Sequence, residues 1–146
     1  MPVYIPTKPT GFDYTRLINI HNHSAVKCYP ALADGIPVAG GAGAWTLSAA
    51  FTEIVPANTI HDDFDIHYIT IEGASDDEVY EVVLYAATTE IGRLRFATVT
   101  VANGMLLPPM PFQTEIIAAE TQIQAKVASK GGGGDIVTMS ILYHNY

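Results

Sequence analysis

The chain has 146 residues, one cysteine and a formal net charge of −8, with 49% hydrophobic and only 15% charged residues. Its length suits a single domain, the lone Cys28 excludes an intrachain disulfide framework, and no run of about 18 apolar residues is present to cross a bilayer as a helix. Soluble domains usually carry about 25% charged residues, so part of this surface is expected to be covered by partner subunits.

The distribution of charge narrows the partners further. No Lys or Arg lies between Lys27 and Arg93, an interval that runs through Glu53, Asp62, Asp63, Asp65, Glu72, Asp76, Asp77, Glu78 and Glu81. Binding a polyanion needs a basic footprint that displaces counterions. Nucleic acid and anionic membrane are therefore not expected partners. The start, MPVYIPTKPTGFDY, lacks the charged and apolar regions of a signal peptide.

Residues 1–44 differ in character from residues 45–146. Pro2, Pro6, Pro9, Pro30 and Pro37 interrupt regular pairing, and the stretch ends in Ala39-Gly40-Gly41-Ala42-Gly43-Ala44. It reads as an extended N-terminal arm with at most one strand, best placed at Arg16–His21. Tyr4, Ile5, Phe12 and Tyr14 make it more apolar than a disordered tail. These residues are expected to contact the chain's own body or a neighbouring subunit.

From residue 45 to 146 the apolar residues carry period two, which places alternate side chains on opposite faces of half-buried strands. Strands are predicted at Trp45–Thr52, Phe64–Gly73, Glu78–Ala87, Glu90–Val101, Thr121–Ser129 and Ile136–Tyr146. Pro56-Ala57-Asn58, Gly73-Ala74-Ser75-Asp76-Asp77, Thr88-Thr89 and Asn103-Gly104 supply turn chemistry between them. Gly92 is the expected site of a bulge or close backbone approach. Pro108, Pro109 and Pro111 force an extended crossing before Phe112–Ile117. On the last strand Val137, Met139, Ile141 and Tyr143 should share one face, opposite Thr138, Ser140, Leu142 and His144. The whole reads as an all-β, antiparallel β-sandwich, jelly-roll-like, carrying the N-terminal arm.

No recognised catalytic pattern accompanies the strands. His21-Asn22-His23 puts two imidazoles on one side of an extended segment, with Cys28, His61 or His67 as further candidate ligands, but polar histidines at a strand end are the commoner explanation of such a pair. Asp62, Asp63 and Asp65 cluster beside His61 without the glycine of a calcium loop. Ser129-Lys130-Gly131-Gly132-Gly133-Gly134-Asp135 lacks the GK[ST] ending and the helix of a phosphate loop and reads as a flexible hairpin. Glu72 and Glu81 could face each other across a hairpin, but unpaired carboxylates on a solvated sheet are far commoner than a glycosidase pair. Arg93 and Arg95 stand two apart on one strand face, positioned to pair with the acidic strand alongside or with a neighbour's acidic patch at Asp76, Asp77 and Glu78. No cofactor is expected.

The stretch IHDDFDIHYITIEGASDDEVYEVVLYAATTEIGRLRFATV and the closing KVASKGGGGDIVTMSILYHNY resemble small phage virion proteins of the capsid decoration or cement type, over roughly the C-terminal two-thirds of the chain. The resemblance lies in an acidic β-hairpin, an EIGRxRF-like strand, a glycine loop and a terminal aromatic strand. It implies a homo-oligomer, commonly a trimer, that binds the major capsid protein within a virion assembled in the host cytoplasm. A tail, connector or fibre protein is the alternative place in the particle. A carbohydrate-binding module, with Trp45, Tyr80, Tyr85 and Tyr143 as a sugar platform, is the alternative class.

Overall fold

A computed structural model describes residues 25–99 and 107–146. Tyr4, Ile5, Phe12, Tyr14, the predicted strand at Arg16–His21, the His21–His23 pair and the Asn103-Gly104 turn lie outside the described residues. Nine strands and no helix make up the described part: β1 (Lys27–Tyr29), β2 (Ile36–Ala39), β3 (Thr52–Val55), β4 (Phe64–Ala74), β5 (Val79–Ala86), β6 (Thr89–Ala97), β7 (Met110–Pro111), β8 (Ile123–Ser129) and β9 (Ile136–Asn145).

The strands form two antiparallel sheets packed face to face. In one, β9 is flanked by β1 and β2 on one side and by β4 on the other, and β4 pairs β7 at the edge; the second sheet has the order β3-β8-β5-β6. Period two explains the core directly. Val137, Met139, Ile141 and Tyr143 all point inward from β9, as expected, against Phe64, Ile66, Ile69 and Ile71 of β4. The opposing sheet contributes Tyr80, Val82 and Leu84 from β5 and Ile123, Ala125 and Val127 from β8. Tyr80 stacks on Phe96 at 5.6 Å between ring centroids, and its buried hydroxyl donates to the Asp76 carbonyl at 3.0 Å. The core is thus closed without an orphaned phenol.

Pairing departs from the sequence reading at the turns. β4 and β5 lie in different sheets, so Gly73–Asp77 is a crossing and not a hairpin tip, and Glu72 and Glu81 end on separate sheets instead of facing each other. β5 and β6 do form a hairpin, closed by a turn at Ala87 and Thr88. Its register slips between Leu84 and Tyr85, leaving Ile91 as the extra residue beside Gly92. A Cβ on Gly92 would lie 2.8 Å from the Phe112 ring, so this glycine marks both a bulge and a close approach.

Two further regions differ. Of the predicted first body strand, Trp45–Thr52, only Thr52 is regular, and the observed strand runs on from it to Val55; Trp45 has φ 53°. Here the chain runs along the edge of β8 with isolated bonds, Trp45 N–H to the Ser129 carbonyl at 2.8 Å and Ser48 N–H to the Val127 carbonyl at 3.1 Å. The described part of the arm, in turn, supplies β1 and β2, and Val38 of β2 is fully buried in the core. The sandwich therefore draws on residues well before Trp45.

The glycine run after β8 is an ordered crossing to the other sheet and not a flexible hairpin. Gly132, Gly133 and Gly134 have φ of 80°, 87° and 80°, the left-handed region that glycine adopts without a Cβ clash. Gly133 N–H donates to the Ala42 carbonyl at 2.8 Å, and Ser129 Oγ bonds both the amide and the carbonyl of Gly132. A Cβ on Gly132 would meet Gly43 and Ala42 backbone at 2.6 and 2.7 Å, whereas nothing lies within 4 Å of one on Gly134. Gly134→Ala should therefore cost about 1–2 kcal/mol from conformation alone. Gly132→Ala adds overpacking and should cost about 3 kcal/mol or more. Urea midpoints at unchanged m-value measure the difference; equal losses would contradict the docking of this loop on residues 42–44.

Candidate functional site

The two arginines of β6 meet one carboxylate. Glu81 of β5 is opposite Arg95 in register, and its Oε2 accepts from Arg95 Nε at 2.6 Å while its Oε1 accepts from Arg93 Nη1 at 3.2 Å. Arg93 also grips Glu90 with a fork, Nε to Oε1 at 2.9 Å and Nη2 to Oε2 at 2.8 Å. That fork holds the Glu90 carboxyl below its usual range. The Glu81 side chain is 10% exposed against 51% and 64% for Arg93 and Arg95. The arginines are thus lids over a sunken acid, paired within the chain to the strand alongside.

Aromatic rings extend this outer face. The Arg95 guanidinium sits 4.6 Å from the Trp45 ring centre and Lys126 Nζ 4.4 Å from that of Phe51. Phe51 meets Tyr85 edge-on at 4.9 Å. Val83 and Ala128 point outward from β5 and β8, outside the inter-sheet core, yet are 0% and 2% exposed. Trp45 and Phe51 themselves remain 42% and 38% exposed. The irregular path of residues 45–51 along β8 lays both rings over its outward side chains and those of β6. Lys126 and Phe51 had no sequence signal beyond their residue types.

Asp76, Asp77 and Glu78 gather at the β4–β5 crossing, away from the arginines' ion pairs. The Asp76 carboxyl is raised from its ordinary value of 3.8, first by a hydrogen bond with Asp135, then by that residue's charge, by desolvation, and by Glu78 and Asp77. The loop after β8 thus adds Asp135 to the predicted acidic patch.

The other candidates separate. His61 lies on the surface near Glu120, at 3.7 Å. Asp63 accepts from the Ala119 amide and Asp62 from the Asn145 side chain, while Asp65 and His67 turn toward His144. Cys28 donates its thiol hydrogen to the Pro30 carbonyl; burial, followed by the charge of Glu72, pushes the thiol up, the reverse of an activated nucleophile. Tyr80 and Tyr143 are core residues and leave any sugar platform to Trp45 and Tyr85. A cleft of about 540 Å³ opens beside the β5–β6 hairpin between Ile91, Glu90, Gln113, Ile116 and Thr121, with no histidine, cysteine or lysine in its lining. No helix among the described residues is long and apolar enough to cross a membrane.

Comparison with protein-family models, with curated proteins and with solved structures gave no significant match.

The acidic corner has a pH signature. A carboxyl raised in the folded chain holds its proton more tightly there than when unfolded, so stability falls as pH rises from the ordinary 3.8 through the raised value. Asp135→Asn should raise the urea midpoint at pH 7, and the gain should vanish below pH 3.8. A gain that persists in acid would show that charge repulsion is not its source.

Proposed function

We propose that the chain is a non-enzymatic structural subunit of a phage virion, a jelly-roll sandwich that decorates or cements the capsid as a homo-oligomer bound to the major capsid protein. The observation that carries the reading is the interleaved strand order. Counting β2 to β9 as eight strands, β2-β9-β4-β7 faces β3-β8-β5-β6. Eight strands wound alternately into two sheets are the arrangement of a jelly roll, a fold used by viral capsid proteins, lectins and cupins. The resemblance of residues 60–99 and 126–146 to virion decoration proteins is our ground for favouring the first of these uses. Fold and resemblance are both analogies, and function rests on the surface.

That surface suits docking better than chemistry. Its outer sheet face combines exposed Trp45 and Phe51 with Arg93 and Arg95, the residue types that dominate protein interfaces. Both arginines are already neutralised by Glu81 and Glu90, so this face would be buried against a partner with little charge left to compensate. The opposite requirement holds at Asp76, Asp77, Glu78 and Asp135, which suit a basic partner surface. Arm contacts through Tyr4, Ile5, Phe12 and Tyr14 belong to the same proposal.

Quantitative mass spectrometry of purified particles, referenced to the major capsid protein, tests it. Near-stoichiometric copies are expected; a handful would move the subunit to the tail or connector, and absence would overturn the virion reading. The exposed Trp45 beside Arg95 favours lectin-like binding as the second reading, which a silent glycan array would remove.

A further inference from the structure

We propose that Asp65, His67 and His144 form a site for one divalent transition-metal ion of the zinc class, pinning the end of β9 to the start of β4. Antiparallel register sets Asp65 of β4 directly opposite His144 of β9. The ladder then slips between Ile66 and Tyr68, which makes His67 the extra residue of a bulge. Strand alternation already places Asp65 and His67 on one face, and the bulge keeps His67 there beside Asp65 while returning Ile69 to the core.

The donor atoms of the three residues lie within 4.8 Å of one another. His67 Nε2 is 2.8 Å from Asp65 Oδ2, and His144 Nδ1 is 3.9 Å from Asp65 Oδ1. The two imidazoles meet edge to face with centroids 4.2 Å apart. Zinc binds imidazole nitrogen and carboxylate oxygen at about 2.0–2.2 Å, which separates donors around a tetrahedral ion by roughly 3.3–3.5 Å. His144 Nδ1 and Asp65 Oδ1 are close to that spacing and one donor of each residue lies within 4.8 Å of the others, so side-chain rotations bring the three onto one centre.

A second observation points to a ligand independently of the clustering. Asp65 is 9% exposed, and its Oδ1, the oxygen facing His144, accepts no hydrogen bond among the described residues. A buried carboxylate oxygen normally has a donor; a cation supplies what this one lacks. The other oxygen is held from outside, since Tyr146 Oη donates to Oδ2 at 2.8 Å. This is the outer-shell arrangement that orients a ligating carboxylate. Tyr146 N–H to the Asp63 carbonyl at 2.9 Å and Asn145 Nδ2 to Asp62 at 3.1 Å tie the segment after His144 to the one before Asp65.

The donor set chooses the class of ion. Calcium and magnesium are bound by oxygen, calcium by six to eight of them. Two imidazoles and one carboxylate suit zinc, cobalt, nickel or iron(II), with one or more positions left for water.

Zinc and, separately, cobalt(II) would be titrated into the full metal-free chain. One ion per chain is expected, with visible cobalt bands of a site of low coordination number and a zinc-induced rise in Tm that a chelator reverses. His67→Gln and His144→Gln should each weaken binding at least tenfold, while the His21→Gln, His23→Gln double variant should leave it intact. In the unaltered protein, zinc should shift the imidazole NMR resonances of His67 and His144, a readout independent of whether the variants fold. The proposal is overturned by absence of saturable binding, by binding that survives loss of His67 and His144, by loss in the His21/His23 variant, or by shifts confined to other histidines.

Discussion

The ladder between β4 and β9 is the interaction on which the rest of this molecule depends. Its register runs from Phe64 opposite Asn145 to Ala74 opposite Val137, the full length of β4 and all of β9 but Ile136. Everything else in that sheet is short: three residues in β1, four in β2 and two in β7. Short strands do not hold a sheet alone, and these are held because β9 offers one edge to β1 and β2 while β4 carries β7. The inward residues of β9 each bury a side chain whose transfer from water contributes about 1.5–3 kcal/mol. Pairing and core formation on this side of the sandwich are therefore a single event.

The same ladder determines what the surface can do. Because β9 pairs β4 and not β8, the chain must cross between sheets after Ser129. Glycines make that crossing where Gly132 packs against residues 42–44. Residues 45–51 then follow the edge of β8 and lay Trp45 and Phe51 on the outer face, where Arg95 and Lys126 lie over the rings. On the other sheet, opposed register brings Asp65 and His144 together, and strand alternation puts His67 on the same face as Asp65. Aromatic face and histidine cluster are both consequences of strand order.

Strand identity is largely legible in the sequence, and strand pairing is not. β4, β5, β8 and β9 match their predicted segments within a residue or two, because burying one face alone forces period two. The bulge at Gly92 is legible for the same reason: a glycine inside an alternating run is a local signal. Hairpin and sheet crossing, however, use the same turn chemistry, so Gly73–Asp77 and Lys130–Asp135 read as hairpin tips. Which sheet receives the next strand is decided by distant partners. β2 is hidden by Pro37, which an edge strand tolerates where a central one would not. Asp65 and His67 are visible as residues, but not their grouping with His144, which joins them only through the β4–β9 register. The Arg93 and Arg95 pair is legible because its partner Glu81 sits on the adjoining hairpin strand.

The central claim, that β9 lies between β2 and β4 and not against β8, is tested most directly by cross-strand backbone nuclear Overhauser contacts. The account predicts contacts of Ile141 with Ile69 on one side of β9 and of Met139 with Ile36 on the other. Contacts of β9 with Val127 and Ala128, as a hairpin closed by the glycine run would give, would contradict it.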